Sequence, residues 1–113
     1  MHEMSIAEGV LAIIEQAARR EGVKAVTAVR LEIGRLAAVE VEALRFCFAS
    51  VVRGSVAEGA HLQIDEPSGT AWCFGCCATV PLAGRLEPCP VCGSNHLQVQ
   101  GGTQMRVKDL EVA

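Results

Sequence analysis

Aromatic and basic side chains are scarce in this sequence. Its 113 residues include no Tyr, one Trp and three Phe. Lysine and arginine form no cluster, and the cysteine-rich stretch 69–96 carries one Arg and one Glu as its charged residues. Proteins that bind nucleic acid usually present a basic stripe to the phosphates. We therefore expect no nucleic-acid partner.

Long apolar runs and catalytic signatures are missing too. No segment approaches the roughly 20 apolar residues that span a bilayer. The first residues lack the basic stretch and apolar core of a signal peptide. We therefore expect no membrane partner and a cytoplasmic location, where thiols stay reduced. No Ser/His/Asp set or carboxylate pair is marked by spacing, so we expect no enzyme.

Hydrophobic residues make up 50% of the chain, enough for a compact core. The length predicts one domain, or one domain that carries a small module held together by a metal ion. Ser5 and Glu8 have the form of a capping box, and apolar residues at helical spacing then predict a helix over 5–21. A second amphipathic helix is predicted over 39–53. The predicted core faces of the two helices include Leu11, Ile14, Leu44 and Phe48.

Alternating apolar and polar residues predict strands in KAVTAVRLEIG and AHLQIDEP. The closing LQVQGGTQMRVKDLEV reads as strand material split by Gly101 and Gly102. Because a two-stranded sheet is marginal alone, this strand should rejoin the first two. The predicted fold class is α/β (α+β): two helices packed on a three-stranded mixed sheet, with a zinc-ribbon-like module inserted before the last strand. The predicted domains are 1–68 plus 97–113, and 69–96.

The cysteines form two C-x-x-C pairs, Cys73 with Cys76 and Cys89 with Cys92, separated by twelve residues. This spacing is typical of zinc ribbons, and four thiolates satisfy tetrahedral Zn²⁺ with no open position. We expect a structural zinc, without which so small a segment would not fold. Cys77 is an alternative to Cys76 as a ligand, but the matched spacing favours Cys76. Cys47 lies on the apolar face of the second helix and is expected in the core.

The opening MHEMS raises a second metal question. The α-amine of Met1, the amide nitrogen of His2 and its imidazole Nδ1 can close fused chelate rings around one ion. Such nitrogen donors in a square plane favour Ni²⁺ or Cu²⁺ over Zn²⁺. Glu3 or another side chain could fill the fourth position. The alternative is a solvated terminus without function.

Two further histidines are weaker candidates for metal binding. His61 falls on the polar face of its predicted strand, so we expect it to be exposed. His96 follows the last cysteine of the ribbon by four residues, and a role at a second metal stays open.

Several stretches together resemble the HypA family, the nickel metallochaperones of [NiFe]-hydrogenase maturation that include the HybF form. They are the opening MHEMS, VRLEIG followed by VEALRFCF, AEGAHLQI, the C-x-x-C pair, CPVCGS and the closing MRVKDLEV. The resemblance covers essentially the whole chain in order. Two positions depart from it: Met4 stands where many relatives have Trp, and Cys77 where a small residue is usual.

The resemblance implies a nickel carrier with structural zinc. It assigns nickel to His2, gives Glu3 a part in the nickel site or in transfer, and assigns zinc to the two C-x-x-C pairs. The implied partners are a HypB-type GTPase and the hydrogenase large-subunit precursor, and we expect a monomer or weak homodimer. The alternative is a zinc-ribbon module that binds protein or nucleic acid and carries no nickel.

Overall fold

The elements of the chain alternate between helix and strand at first and are all strands afterwards. This computed structural model describes residues 2–113. No helix in that range is both long and apolar enough to cross a membrane. In chain order the elements are α1 (Glu3–Glu21), β1 (Val26–Ile33), α2 (Val41–Val51), β2 (His61–Asp65), β3 (Gly69–Cys73), β4 (Ala78–Leu82), β5 (Leu97–Gly101) and β6 (Met105–Val112).

Helix α1 begins earlier than the sequence pattern predicted. His2 is its N-cap, and the His2 carbonyl accepts the Ile6 backbone N–H at 3.0 Å. No side chain caps this end, so the prediction of a capping box at Ser5 was wrong. Gly22 ends the helix as predicted, in the left-handed conformation with φ +69°, which glycine adopts without steric cost. The buried face of α1 contains Ala7, Val10, Ile14 and Ala18.

Helix α2 is shorter than the predicted 39–53, because Glu40 is already its N-cap and Val52 its C-cap. Leu44 and Phe48 are buried, as predicted. Leu11, expected in the core of α1, is only partly buried. The two helices contact each other, and α1 also lies beside a sheet, since Ala18 lines one cavity together with strand residues.

The first sheet has the strand order β2-β1-β6. Its central strand buries alternate residues, which explains the pattern seen in the sequence. The Thr27 hydroxyl donates to the Glu111 carbonyl at 3.2 Å, and Arg30 forms an ion pair with Asp109. The partner residues in β6 have decreasing numbers as the numbers in β1 increase, so β1 and β6 are antiparallel. This is the predicted three-stranded sheet, completed by the end of the chain.

A second sheet, with the order β4-β3-β5, was not predicted. Strand β3 pairs antiparallel with both β4 and β5. The prediction that 97–101 belongs to the last strand of the first sheet was therefore wrong. Gly102, with φ +86°, redirects the chain between β5 and β6, so one predicted strand becomes two strands in different sheets.

Packing divides the chain into two compact units. Among the described residues 2–113, unit 1 contains 2–31, 39–64 and 107–113. Unit 2 contains residues 32–38 and 65–106. Leu36 belongs to unit 2, where it packs with Ala71 and Leu82 in a buried cluster. The domains predicted above concern independent folding, and they stay a prediction.

Candidate metal centre

Four cysteine sulfurs converge in unit 2. The Sγ atoms of Cys73, Cys76, Cys89 and Cys92 all lie within 4.8 Å of one another. The Cys73 and Cys92 sulfurs are 3.5 Å apart, and those of Cys76 and Cys89 are 3.8 Å apart. Tetrahedral zinc with Zn–S bonds of about 2.3 Å requires sulfurs separated by about 3.8 Å. The four thiols therefore fit a closed Zn²⁺ site.

Two similar turns present these sulfurs. In the first, the Cys76 backbone N–H donates to the Cys73 sulfur at 3.3 Å. In the second, the Cys92 N–H donates to the Cys89 sulfur at 3.5 Å, and the Val91 N–H donates to it at 3.4 Å. Each turn is a C-x-x-C segment that bends back on its first sulfur. The matched spacing in the sequence thus corresponds to matched local geometry.

Cys77 lies outside the sulfur cluster. Its side chain is exposed, and its thiol donates to the Phe74 carbonyl at 3.6 Å. Its backbone has φ +53°, and Gly93, at the same position after the second turn, has φ +77°. Within residues 2–113, the side chains grouped closely enough to hold a metal are the four cysteines of the two pairs.

The thiols perturb one another strongly. Backbone N–H donation, chiefly from Cys92 and also from Val91, lowers the pKa of Cys89 to about 6. Hydrogen bonding to Cys92 and burial raise the pKa of Cys76 to about 12. Four thiolates this close cannot coexist without a cation between them. A divalent ion removes this conflict, which is why the donor set suits Zn²⁺ as a structural element.

The sulfur cluster is also part of the small core of unit 2. Cys73 and Cys89 are buried and pack with Val80, and Leu97 covers them in part. The Phe74 ring stacks on His96, with ring centroids 4.5 Å apart. His96 is exposed and takes no place in the sulfur cluster.

The chain start forms the second candidate site. Met1, predicted to contribute its α-amine, lies outside the described residues 2–113. His2 is exposed and non-helical, with φ −107° and ψ 12°. Because His2 precedes the first turn of α1, its amide nitrogen has no acceptor within the helix. An exposed imidazole and an amide outside the helical hydrogen bonds are both accessible to an ion.

Glu3 occupies a place that the sequence analysis did not anticipate. It is the first residue of α1, and with 6% of its surface exposed it is buried. Its Oε2 accepts the backbone N–H of Glu40 at 3.0 Å. The partner lies 37 residues away in the sequence, so no local pattern could reveal this contact.

Neither of the other two candidate residues belongs to the sulfur cluster. His61 is exposed on β2, as predicted. Cys47 is partly buried on α2, so the expectation of a core position holds only in part.

Comparison with known proteins gives a consistent result. A family model described as "Hydrogenase/urease nickel incorporation, metallochaperone, hypA" matches residues 1–112. Hydrogenase maturation factor HypA of Albidiferax ferrireducens is 59% identical over 112 residues, which cover 99% of both chains. The same factor of Azotobacter chroococcum is 58% identical, again over 99% of both chains.

Solved structures agree on the fold. The solution structure of the Ni metallochaperone HypA from Helicobacter pylori is 24% identical, with a TM-score of 0.68 over 99% of this chain and 97% of that one. A second solution structure of a HypA protein is 25% identical, with a TM-score of 0.69 over 100% of this chain and 97% of that one. Both likenesses support the fold of two helices and two small sheets over the length of the chain.

Proposed function

The chain belongs to the HypA family of hydrogenase maturation factors, and from this we propose that it binds Ni²⁺ at its N-terminus and delivers it to the [NiFe]-hydrogenase large-subunit precursor. The observation that carries the proposal is the exposed His2 at the cap position of α1. The Met1 α-amine, the His2 amide nitrogen and the His2 imidazole supply three nitrogen donors. Nitrogen donors in a square plane suit Ni²⁺.

The two metal sites have different functions in this proposal: one holds the metal to be delivered and the other stabilises the fold. The four-cysteine cluster has two buried ligands and no open position once zinc is bound, so it is unsuited to release. The chain start is open to solvent at His2, so a partner ligand can attack the ion without unfolding the carrier. Nickel therefore belongs to the N-terminus and zinc to the ribbon.

Delivery implies protein partners and no catalysis by the carrier itself. We assign it a HypB-type GTPase and the large-subunit precursor as partners, in the cytoplasm. Relatives named as maturation factors support the connection to hydrogenase. In this proposal the protein makes and breaks metal–ligand bonds only.

A nickel titration tests the binding step. The native-terminus protein should bind one Ni²⁺ per chain with the absorption of a square-planar complex. His2→Ala should weaken binding by more than about 100-fold, because even the loss of a supporting group around a metal ligand costs 10- to 100-fold. His61→Ala is the matched control, since it removes an exposed histidine elsewhere. A protein that folds and holds zinc but takes up no nickel would support the binding-module alternative.

A transfer assay tests delivery. Radiolabelled nickel loaded on the protein should move to purified large-subunit precursor when the GTPase and GTP are present. The His2→Ala protein, loaded under the same conditions, should transfer none. Equal transfer from free nickel at the same concentration would contradict a carrier role.

A further inference from the structure

Glu3 is unusual because it is charged and buried. Among residues 2–113, the buried polar or charged class consists of Glu3 alone. Removing a carboxylate from water is costly unless donors replace the water. The Glu40 N–H, at 3.0 Å from Oε2, is one such donor. The Glu40 N–H is therefore one of the contacts that offset the cost of burying Glu3.

The contact also satisfies a need of α2. Glu40 is the N-cap of that helix, and no side chain of the segment provides a cap hydrogen bond. N–H groups at the start of a helix have no acceptor within it, and a negative charge there is favoured by the helix dipole. Glu3 supplies both the acceptor and the charge from a distant part of the sequence. It thus ties the first turn of α1 to the first turn of α2.

We infer that the Glu3 carboxylate positions the nickel-binding chain start and is not itself a nickel ligand: it stays on the Glu40 N–H when nickel is bound. This inference rests on the proposed function. Moving Oε2 from this N–H to an ion would leave the Glu40 N–H without its acceptor at a part-buried position. With Glu3 held in place, the backbone of the adjacent His2 has fewer accessible conformations before nickel binds. Such preorganisation raises the affinity for nickel.

The assignment has a consequence for transfer. If Glu3 keeps its hydrogen bond, the nitrogen donors of Met1 and His2 leave the fourth coordination position to water or to a ligand from the partner. An incoming ligand can then bind before any donor of the carrier leaves. A closed set of four carrier ligands would oppose this step.

Substitutions at Glu3 separate positioning from ligation. The side-chain carbonyl of Gln can accept the same N–H but lacks the carboxylate, whereas Ala can do neither. Positioning predicts that Glu3→Gln binds nickel within about 3-fold of the parent and Glu3→Ala at least about 10-fold more weakly. Glu8→Ala, which removes an exposed acid from the same helix, is the control for charge and should bind as the parent does.

The amide of Glu40 reports the contact in the unaltered protein. Square-planar Ni²⁺ is diamagnetic. The chemical shift and hydrogen exchange of the Glu40 amide can therefore be followed by NMR with and without nickel. We expect both to change little on nickel binding. A Glu3→Gln variant as weak as Glu3→Ala, or a Glu40 amide that loses protection with nickel, would overturn the inference. Failure of His2→Ala to reduce binding would instead overturn the proposed function, and this inference with it.

Discussion

At the scale of single residues, the first turn of the ribbon contains a strained position. Cys77 has φ +53°, a region that costs an L-residue about 1–2 kcal/mol and costs glycine little. Its thiol is exposed and outside the sulfur cluster, so nothing in the metal site requires a cysteine there. The equivalent residue of the second turn is Gly93.

Cys77→Gly should therefore raise the free energy of unfolding of the zinc-bound protein by up to about 1 kcal/mol. Denaturant unfolding with zinc present measures the change, and metal analysis should still find one zinc per chain. Gly93→Ala is the matched control: open space surrounds its would-be Cβ, so it should destabilise through backbone strain alone. Zinc loss in Cys77→Gly, with zinc kept in Cys76→Ser, would move the ligand to Cys77.

The sequence could predict some residues and not others, for physical reasons. The four cysteines were identifiable because their spacing is local and reflects one turn geometry repeated. The role of Glu3 was not, because its partner Glu40 is brought close only by the packing of two helices. Local pattern carries no information on such a pair.

At the scale of elements, unit 2 is held by a close crossing of glycines. The Leu36 backbone N–H donates to the Gly102 carbonyl at 2.8 Å, and the Gly34 N–H donates to the Gln104 carbonyl at 2.9 Å. A Cβ on Gly34 would overlap the Gly102 carbonyl, and one on Gly102 would overlap the Gly69 Cα. The backbones are thus in direct contact, which only residues without a side chain allow.

Gly102→Ala should destabilise the protein by at least about 2 kcal/mol, since it combines a φ of +86° with a backbone overlap. Gly9→Ala is the matched control, because Gly9 lies in α1 with open space around its would-be Cβ. It should stabilise by up to about 1 kcal/mol through helix propensity. Denaturant unfolding of both variants measures the difference. A Gly102→Ala protein as stable as its parent would contradict the crossing.

Elements with a regular local pattern could be predicted from the sequence, whereas features set by long-range contacts could not. Helices α1 and α2 and strands β1 and β2 were visible because each has a regular apolar period. Strands β3 and β4 are short and lie among cysteines and turn residues, so no period stands out. Strands β5 and β6 were recognised as strand material, but their sheets were not, because strand pairing is set by partners far along the chain.

At the scale of the whole molecule, the two units differ in how they are stabilised. Unit 2 contains two small clusters of buried residues, and one of them consists of Val80 with two of the four clustered cysteines. So small a core leaves the metal to supply much of the folding free energy. Unit 1 has the buried faces of both helices and of most of β1, and it does not contain the cysteine pairs.

Removing zinc with a chelator should therefore unfold unit 2 before unit 1. Hydrogen exchange should show loss of protection in β3, β4 and β5, while the amides of α1 and α2 stay protected. The Leu36 amide should lose protection with them, because its acceptor is the Gly102 carbonyl. The sequence could not predict that last result, since Leu36 lies in a loop far from the cysteines. Equal loss throughout both helices would show one cooperative unit and contradict this account.

The central claim, that nickel is bound by the chain start itself, is tested most directly by lengthening that start. A Gly-Ser extension before Met1 converts the α-amine to an amide and leaves His2 and the fold in place. Isothermal titration with Ni²⁺, beside zinc analysis and circular dichroism, compares the extended and native proteins. The account predicts that the extension weakens nickel binding about as severely as His2→Ala, with zinc and helicity unchanged. Undiminished nickel affinity in the extended protein would contradict it.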